Sequence, residues 1–251
     1  MKFLVLQHHP VEHPGTLRDL WRAEGIGWDK VELDAGEALP ADTAGYAAIV
    51  SMGGPMDVWE EAAYPWLADE KALLRRWVGV EDRPYLGICL GHQMLADALG
   101  GDVAMMPPGE VGVGRVRLTD AGRTDPLLAG RPAQMDVFQW HSAGIHRLPE
   151  GAAALAESDP CPVQAFRYGR AAWGLQFHFE VGETTVADWA AIPAYKASLE
   201  AQFGAGAVPR VEAAVAAALP AFNATARALN DAFLAQVRAG SGARAGRTAV
   251  A

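Results

Sequence analysis

Apolar and polar positions along the first hundred residues follow two different periods. Short apolar runs predict buried strands at residues 2–7, 28–33, 46–51 and 84–88. Apolar residues at helical spacing predict helices at residues 15–24, 64–80 and 90–99. Because strands that alternate with helices form parallel sheets, we expect an α/β fold with an open, mostly parallel central sheet flanked by helices.

The pattern changes in the second half of the chain. Short strands separated by turns are predicted at residues 114–118, 135–138, 152–156, 163–168 and 171–177. After residue 183 the chain is helical and alanine-rich, with an interruption at Pro220. We therefore expect one α/β domain over residues 1–190, a helical extension over 191–239 packed on the same domain, and a flexible tail over 240–251.

Composition narrows the function classes. The chain has 251 residues and a formal net charge of −9, with no basic stripe, which argues against a nucleic-acid partner. Its first apolar run is too short for a signal peptide, and no run approaches the length of a membrane span. Two cysteines give no disulfide framework. We expect a cytoplasmic chain that does not bind a membrane.

The segment Gly-Ile-Cys-Leu-Gly-His-Gln at residues 87–93 carries the strongest chemical signal. It lies between a predicted strand and a predicted helix, with glycine two positions before and two after Cys89. This spacing is typical of a nucleophile elbow, in which a sharp turn presents the nucleophile. A helix N-terminus at Cys89 would favour the thiolate. The alternative is an inert core cysteine, which is what we expect of Cys161.

A second signal is the alternating segment Gly-Leu-Gln-Phe-His-Phe-Glu at residues 174–180. On a strand, His178 and Glu180 lie on one face, about 6–7 Å apart at the backbone. Glu180 could then orient the imidazole while its other nitrogen serves Cys89, as in an acyl-transfer triad. Taken alone, His178 would be an ordinary polar strand residue. Together with the elbow, it indicates a catalytic base.

A third signal follows the strand predicted at residues 46–51. Gly53 and Gly54 come just past its carboxyl end, where open α/β sheets build their sites. A backbone N–H at this point, together with that of Leu90, could form an oxyanion hole. An ordinary turn is the alternative for this segment.

Along the chain these segments follow in the order Gly-Gly-Pro, Gly-x-Cys-x-Gly-His-Gln and Gln-Phe-His-x-Glu. This combination resembles the class I (triad-type) glutamine amidotransferase family over residues 1–190, most closely a stand-alone member similar to the glutaminase of GMP synthase. The resemblance implies a flavodoxin-like fold, nucleophilic attack by Cys89 on the glutamine side-chain amide, and release of ammonia. It assigns His178 as general base and acid and Glu180 as its orienter. Gly54 and Leu90 then supply the oxyanion N–H groups.

The same resemblance suggests substrate-binding residues. Gly53, Gln93, His141 and Ser142 are assigned this role by their positions in the family pattern. Glu110 also matches a family pattern but receives no mechanism. One departure is Phe179, which stands where the family most often has proline. The register is unchanged, so the departure bears on the branch of the family and not on the triad.

Cofactors and partners follow from what the sequence lacks. No phosphate-binding loop motif occurs, so ATP chemistry would come from a partner synthetase chain. His8, His9 and His13, with Glu12, have ligand types but no recognised metal spacing. We expect solvated histidines, or a pocket wall, rather than a metal site, and we expect no cofactor.

Two alternatives remain beside a glutamine amidohydrolase that releases ammonia for an unidentified acceptor. One is a γ-glutamyl peptidase, since the same thioester could form from a γ-glutamyl peptide bond. The other is a non-catalytic binding or regulatory subunit, which the presence of all three triad residues disfavours.

Overall fold

A computed structural model describes the backbone of residues 1–248 and the side chains of residues 1–240. Residues 1–248 contain nine strands: β1 (Lys2–Gln7), β2 (Gly27–Glu32), β3 (Ala48–Ser51), β4 (Tyr85–Ile88), β5 (Asp102–Leu118), β6 (Gln134–Arg147), β7 (Ala153–Glu157), β8 (Ala165–Tyr168) and β9 (Ala172–Leu175). Seven α-helices accompany them: α1 (Leu17–Ala23), α2 (Trp66–Leu74), α3 (Leu90–Ala98), α4 (Asp120–Thr124), α5 (Thr185–Ala190), α6 (Pro193–Phe203) and α7 (Val208–Thr248). A π-helical segment, Arg75–Val80, continues α2.

The strands form one sheet in the order β2-β1-β3-β4-β9-β8-β7-β5-β6. The first five strands pair in parallel, and the remaining four pairings are antiparallel. The expected α/β fold is confirmed, with a mixed sheet whose parallel half carries the elbow. The short connection between β8 and β9 fits their antiparallel pairing, since only antiparallel neighbours can be joined by a tight turn, whereas β5 and β6 are joined through α4.

The hairpin of β5 and β6 is longer than the sequence predicts. Only residues 114–118 and 135–138 are predicted as strands, whereas the hairpin pairs Asp102 with Arg147 at its far end. The Pro-Pro-Gly segment at residues 107–109 lies at an irregularity in this pairing, between Met105 and Glu110. A bulge of this kind bends a strand without ending it.

The strand predicted through Glu180 also differs in its bounds, because β9 ends at Leu175. The alternation nevertheless continues past that end. Phe177 and Phe179 are buried in the core with Trp173, while His178 forms an isolated bridge with Phe138, with N···O distances of 2.8 and 3.2 Å. Burial of alternate phenylalanines therefore keeps the predicted side-chain directions where the regular ladder has stopped.

Helices cover both faces of the sheet. Helices α1 and α7 pack on one face around Phe3, Trp21 and Phe233. Helices α2 and α3 pack on the other. Within the described residues no single helix has the length and apolar composition to cross a membrane, and only the bent pair Pro193–Phe203 and Val208–Gly240 meets those two criteria together.

The helical extension packs against the hairpin through a third hydrophobic cluster. Trp140 of β6 contacts Trp189 of α5 and Tyr195 of α6 within it. Pro220, expected to interrupt the last helix, lies inside α7. Where composition predicts a flexible tail from residue 240, the backbone of α7 continues to Thr248. The last three residues of the predicted tail, 249–251, lie outside the described residues.

Candidate active site

Cys89 occupies the turn between β4 and α3 in a strained backbone conformation. Its φ is 51° and its ψ is −103°, a region that non-glycine residues rarely adopt. The flanking glycines are required by close approach. A Cβ on Gly87 would lie 2.4 Å from the Gly91 carbonyl oxygen, and a Cβ on Gly91 would lie 2.3 Å from the Ser51 carbonyl oxygen. The glycine spacing read from the sequence thus has a steric cause.

His178 and Glu180 form a buried pair beside Cys89. The His178 Nδ1 lies 2.7 Å from Glu180 Oε1, and Glu180 Oε2 accepts the Phe179 N–H at 2.9 Å. His178 Nε2 has no hydrogen-bond partner among the described residues. Burial lowers the pKa of His178, but the Glu180 charge and the neighbouring Cys89 outweigh it and raise that pKa well above its usual value. The geometry therefore favours an imidazolium next to the sulfur.

Two backbone N–H groups lie near the sulfur. Leu90 is the first residue of α3, so its N–H has no partner within the helix. The N–H of Gly54 donates to no acceptor among the described residues. Gly54 packs directly on Leu90, because a Cβ at Gly54 would lie 2.8 Å from Leu90 Cδ2. Both residues line the same pocket as Cys89.

That pocket has a volume of about 230 Å³ and opens beside Cys89. Three of the four residues assigned to substrate binding, Gln93, His141 and Ser142, line it. Its far wall comes from α6, with Ala194, Tyr195 and Ser198, so the helical extension completes the pocket.

The assigned substrate-binding side chains differ in how free they are. Gln93 Nε2 donates to the Ala143 carbonyl and to Gln176 Oε1, both at 3.0 Å. The imidazole of His141 is held between the Ala143 carbonyl and Glu110, at 3.0 and 3.2 Å. Gly53 does not line the pocket; its carbonyl lies behind the pocket wall, bonded to His8. Of the four assigned residues, only Ser142 is exposed.

Glu110 of β5 links this strand to residues between β7 and β8 through side-chain hydrogen bonds. Its carboxylate accepts hydrogen bonds from the Ser158 hydroxyl at 3.0 and 3.1 Å and from Gln164 Nε2 at 2.7 Å. Glu110, His141 and Cys161 bring ligand atoms within 4.8 Å of one another. Burial, however, raises the pKa of the Cys161 thiol to about 12, and the Glu110 oxygens are already engaged. The three groups therefore fit a hydrogen-bonded network better than a metal site, which needs a thiolate.

The histidines of the loop after β1 do not converge. His8 is fully buried and contacts Glu70, so the expectation of a solvated histidine is wrong for it. His9 Nδ1 accepts the Val11 N–H at 3.4 Å, and His13 Nδ1 accepts the Gly15 N–H at 3.1 Å. Strand β1 lies between β2 and β3 in the sheet, and its last residue, Gln7, is buried. His8 follows Gln7 directly and is therefore also buried.

The sequence analysis names Glu12 only beside the three loop histidines and gives it no role at the triad. It is buried, and its Oε1 accepts a hydrogen bond from the Tyr195 hydroxyl at 2.5 Å. Its Oε2 has no partner among the described residues. A Cβ on Gly53 would lie 2.5 Å from that oxygen and 3.2 Å from His178 Cε1, so the carboxyl group and the imidazole both border Gly53. Burial raises the pKa of Glu12, and the charge of His178 opposes this.

A sequence signal for Glu12 did exist, because it follows a strand at the carboxyl edge of the sheet, where α/β sites form. None existed for Tyr195, which lies in an alanine-rich helix 183 residues away.

Comparisons with known proteins agree with this geometry. The family model of the class I glutamine amidotransferases matches residues 26–188. The glutamine amidotransferase-like protein YfeJ of Salmonella typhimurium is 36% identical over 162 residues, which are 63% of this chain and 66% of that protein. The GMP synthase of Thermosipho africanus is 34% identical over 167 residues, 66% of this chain and 29% of that one.

Comparison with solved structures supports the same family. A glutamine amidotransferase from Thermotoga maritima superposes with a TM-score of 0.82 at 31% identity, covering 94% of this chain and 98% of that one. The chain spans about two thirds of YfeJ and less than a third of the GMP synthase. The family match extends over well more than half of the residues and includes both Cys89 and His178, and the chain therefore belongs to the class I glutamine amidotransferase family.

Proposed function

We propose that the chain hydrolyses the side-chain amide of glutamine through a thioester on Cys89 and releases ammonia. The observation that carries this proposal is the strained elbow beside the His178–Glu180 pair, with an Nδ1–Oε1 distance of 2.7 Å. A histidine base beside the sulfur suits Cys89 for nucleophilic attack. Family membership supplies the substrate class.

In the proposed reaction, the Cys89 sulfur attacks the amide carbon of glutamine. The N–H groups of Gly54 and Leu90 stabilise the oxyanion that develops. His178 gives its proton to the departing nitrogen, so that ammonia leaves and a γ-glutamyl thioester remains. His178 then removes a proton from water, which attacks the thioester, and glutamate is released with the thiolate restored.

Glutamine is favoured over a γ-glutamyl peptide by the size of the pocket. About 230 Å³, closed on one side by α6, is less than the ~300–1,000 Å³ typical of sites for larger ligands. Asp57 also lines this pocket, and burial raises its pKa. A single amino acid suits this space better than a peptide.

We further propose that the ammonia serves a partner synthetase, as the names of the GMP synthase relatives suggest. Free ammonia is protonated and lost as a nucleophile at neutral pH, so hydrolysis is useful only when an acceptor is ready. Closure of the pocket by the partner would provide that coupling. The isolated chain is then a slow glutaminase that works in a reducing, cytoplasmic environment.

The test begins with glutamate and ammonia production from glutamine by the purified chain. Cys89→Ala should abolish turnover and the covalent adduct with a glutamine-mimicking electrophile, whereas Cys161→Ala should retain both. His178→Ala should lower turnover by a factor on the order of 10³ or more, and Glu180→Ala by less, because the base remains but is poorly oriented. An adduct on Cys161 would refute the assignment of the nucleophile.

A second experiment separates the remaining functions. Glutamine and a panel of γ-glutamyl peptides are compared as substrates, with and without candidate synthetases. Stimulation of glutamine hydrolysis by a synthetase supports the proposal. Fast peptide cleavage that needs no partner favours a γ-glutamyl peptidase, and the absence of both turnover and adduct favours a non-catalytic subunit.

A further inference from the structure

His8 is a fully buried histidine whose two ring nitrogens both face hydrogen-bond partners. Its Nδ1 lies 3.0 Å from the Gly53 carbonyl oxygen, and its Nε2 lies 2.8 Å from Glu70 Oε2. Trp66 stacks on the ring with a centroid distance of 5.3 Å and an interplanar angle of 10°. Neither His8 nor Glu70 has any exposed surface. The imidazole is therefore fixed in position and orientation.

The proton on Nδ1 follows from its partner. A carbonyl oxygen can only accept a hydrogen bond, so Nδ1 must carry a proton to bond Gly53. Glu70 is itself held by the Ser51 hydroxyl, which donates to Oε1 at 2.7 Å. An imidazolium with a carboxylate, or a neutral ring with a protonated Glu70, leaves the Nδ1 proton in place. The bond to Gly53 persists in either state.

The Gly53 carbonyl and the Gly54 N–H belong to the same peptide group. In a trans peptide these two bonds point in opposite directions. Holding the carbonyl on His8 therefore turns the Gly54 N–H away from His8. Gly54 lines the pocket together with Cys89, and its N–H donates to no acceptor among the described residues, so it is free to bond a ligand there.

Without such a hold, this peptide would rotate easily. Both of its residues are glycines, and glycine accepts positive and negative φ almost equally. A rotated peptide would aim its carbonyl oxygen, instead of its N–H, at the developing oxyanion. A Cβ on Gly54 would lie 2.8 Å from the His8 Cβ, so His8 also requires glycine at this point. His8 therefore has two effects on Gly54: its Cβ leaves room only for glycine, and its ring holds the peptide group of that glycine in one orientation.

We propose that His8, supported by Glu70, is a positioning residue that keeps the Gly54 N–H directed at the reacting carbonyl. This inference rests on the proposed function for its effect on catalysis, although the orientation of the peptide is measurable without any turnover. Loss of one oxyanion-hole donor lowers kcat by roughly 10²–10³ in acyl-transfer enzymes.

Two amide substitutions separate the ring contacts. The Asn amide nitrogen reaches the place of Nδ1 and keeps a donor for the Gly53 carbonyl, whereas the longer Gln places its amide near Nε2 and Glu70. We expect His8→Gln to lower kcat about 10²-fold and His8→Asn to stay within about threefold of the wild type. His9→Gln is the matched control, because the only side-chain hydrogen bond of His9 among the described residues is the one that its Nδ1 accepts from the Val11 N–H, and we expect it to leave kcat unchanged.

Two further measurements distinguish positioning from a general loss of structure. A glutamate γ-aldehyde forms a tetrahedral adduct with an oxyanion, so His8→Gln should weaken its binding by a factor similar to that for kcat. Alkylation of Cys89 by iodoacetamide needs no oxyanion hole and should keep its rate. Equal kcat in His8→Gln and the wild type, or equal losses in His8→Gln and His8→Asn, would overturn the proposal, as would parallel loss of alkylation.

The peptide itself gives a readout independent of function. Crystal structures should show the Gly53 carbonyl in one orientation in the wild type and in His8→Asn, and rotated or doubled in His8→Gln. A single unchanged orientation in all three refutes the proposal even if glutamine proves not to be the substrate. If His8→Gln does not fold, His8→Ala with added imidazole replaces it, because an imidazole-sized cavity can bind its missing group; recovery of kcat supports the proposal, and a folded variant without recovery contradicts it.

Discussion

Cys89 has a backbone conformation that is unfavourable for every residue except glycine. Comparing glycine and alanine at this position measures the free energy of that strain. Its φ of 51° and ψ of −103° are close to the first central position of a type II′ turn, which glycine dominates. Residues held in such regions store about 1–3 kcal/mol of strain. Alanine at position 89 keeps that strain, and glycine removes it. Both variants lack the sulfur, so its loss cancels in the comparison.

The ordinary difference between glycine and alanine must be subtracted. Alanine at a compatible site is more stable by about 0.4–1 kcal/mol, chiefly because it restricts the unfolded chain. Cys161 supplies the matched reference, since it is also a fully buried cysteine and its φ is not positive. There, we expect the alanine variant to be the more stable. At Cys89 we expect the order to reverse, by about 1 kcal/mol.

The assay is urea unfolding of the four variants at one pH, followed by circular dichroism. The alanine–glycine difference in the free energy of unfolding is measured at position 89 and at position 161, and the two differences are subtracted. The methyl group that distinguishes alanine from glycine, and its effect on the entropy of the unfolded chain, occur at both positions and cancel, so the backbone strain at position 89 remains. We expect this double difference to be about 1–3 kcal/mol. For a chain of 251 residues, each kcal/mol corresponds to a Tm shift of about 2–4 °C. A double difference of zero, at unchanged m-values, would refute the strained elbow.

The remaining predictions concern the surroundings of the elbow. Gly91→Ala should unfold or inactivate the chain, because its Cβ would lie 2.3 Å from the Ser51 carbonyl oxygen, whereas Gly27→Ala, with nothing within 4 Å, should be tolerated; circular dichroism and turnover check both. Glu12→Gln should lower kcat about tenfold, because it removes a carboxyl group that interacts electrostatically with His178. A tenfold loss corresponds to about 1.4 kcal/mol of transition-state stabilisation. The raised pKa of Glu12 means that the folded chain holds its proton more tightly than the unfolded chain. The resulting stability is present below pH 4.5 and is lost as pH rises through the folded pKa, so the stability of Glu12→Gln relative to wild type should increase with pH over that window. Tyr195→Phe should lower kcat by less than Glu12→Gln and leave the Cys89 adduct intact, a result that mass spectrometry and turnover measure; an unchanged kcat in both variants would remove the pair from the site.

The sequence by itself determined the features that depend on neighbours along the chain. The glycine spacing of the elbow was readable from the sequence, and the local turn explains Gly87, whose Cβ would meet the Gly91 carbonyl oxygen four residues on. Glycine at position 91 has a non-local cause, because its Cβ would meet Ser51 on the neighbouring strand β3. The direction of His178 and Glu180 followed from alternation over seven residues, which burial of the phenylalanines preserves. Family and α/β class followed from the same short segments and their order.

Only the tertiary structure decided which residues meet. His8 and Glu70 are 62 positions apart, Glu110 and Gln164 are 54 apart, and Glu12 meets Tyr195 from the far end of the chain. A hydrophobic period indicates which face of an element is buried, but the partner on that face depends on strand order and helix packing. The buried polar pairs around the pocket are therefore consequences of the sheet order and of α6 closing over it, because a buried polar group must be paired by whatever the fold brings within reach.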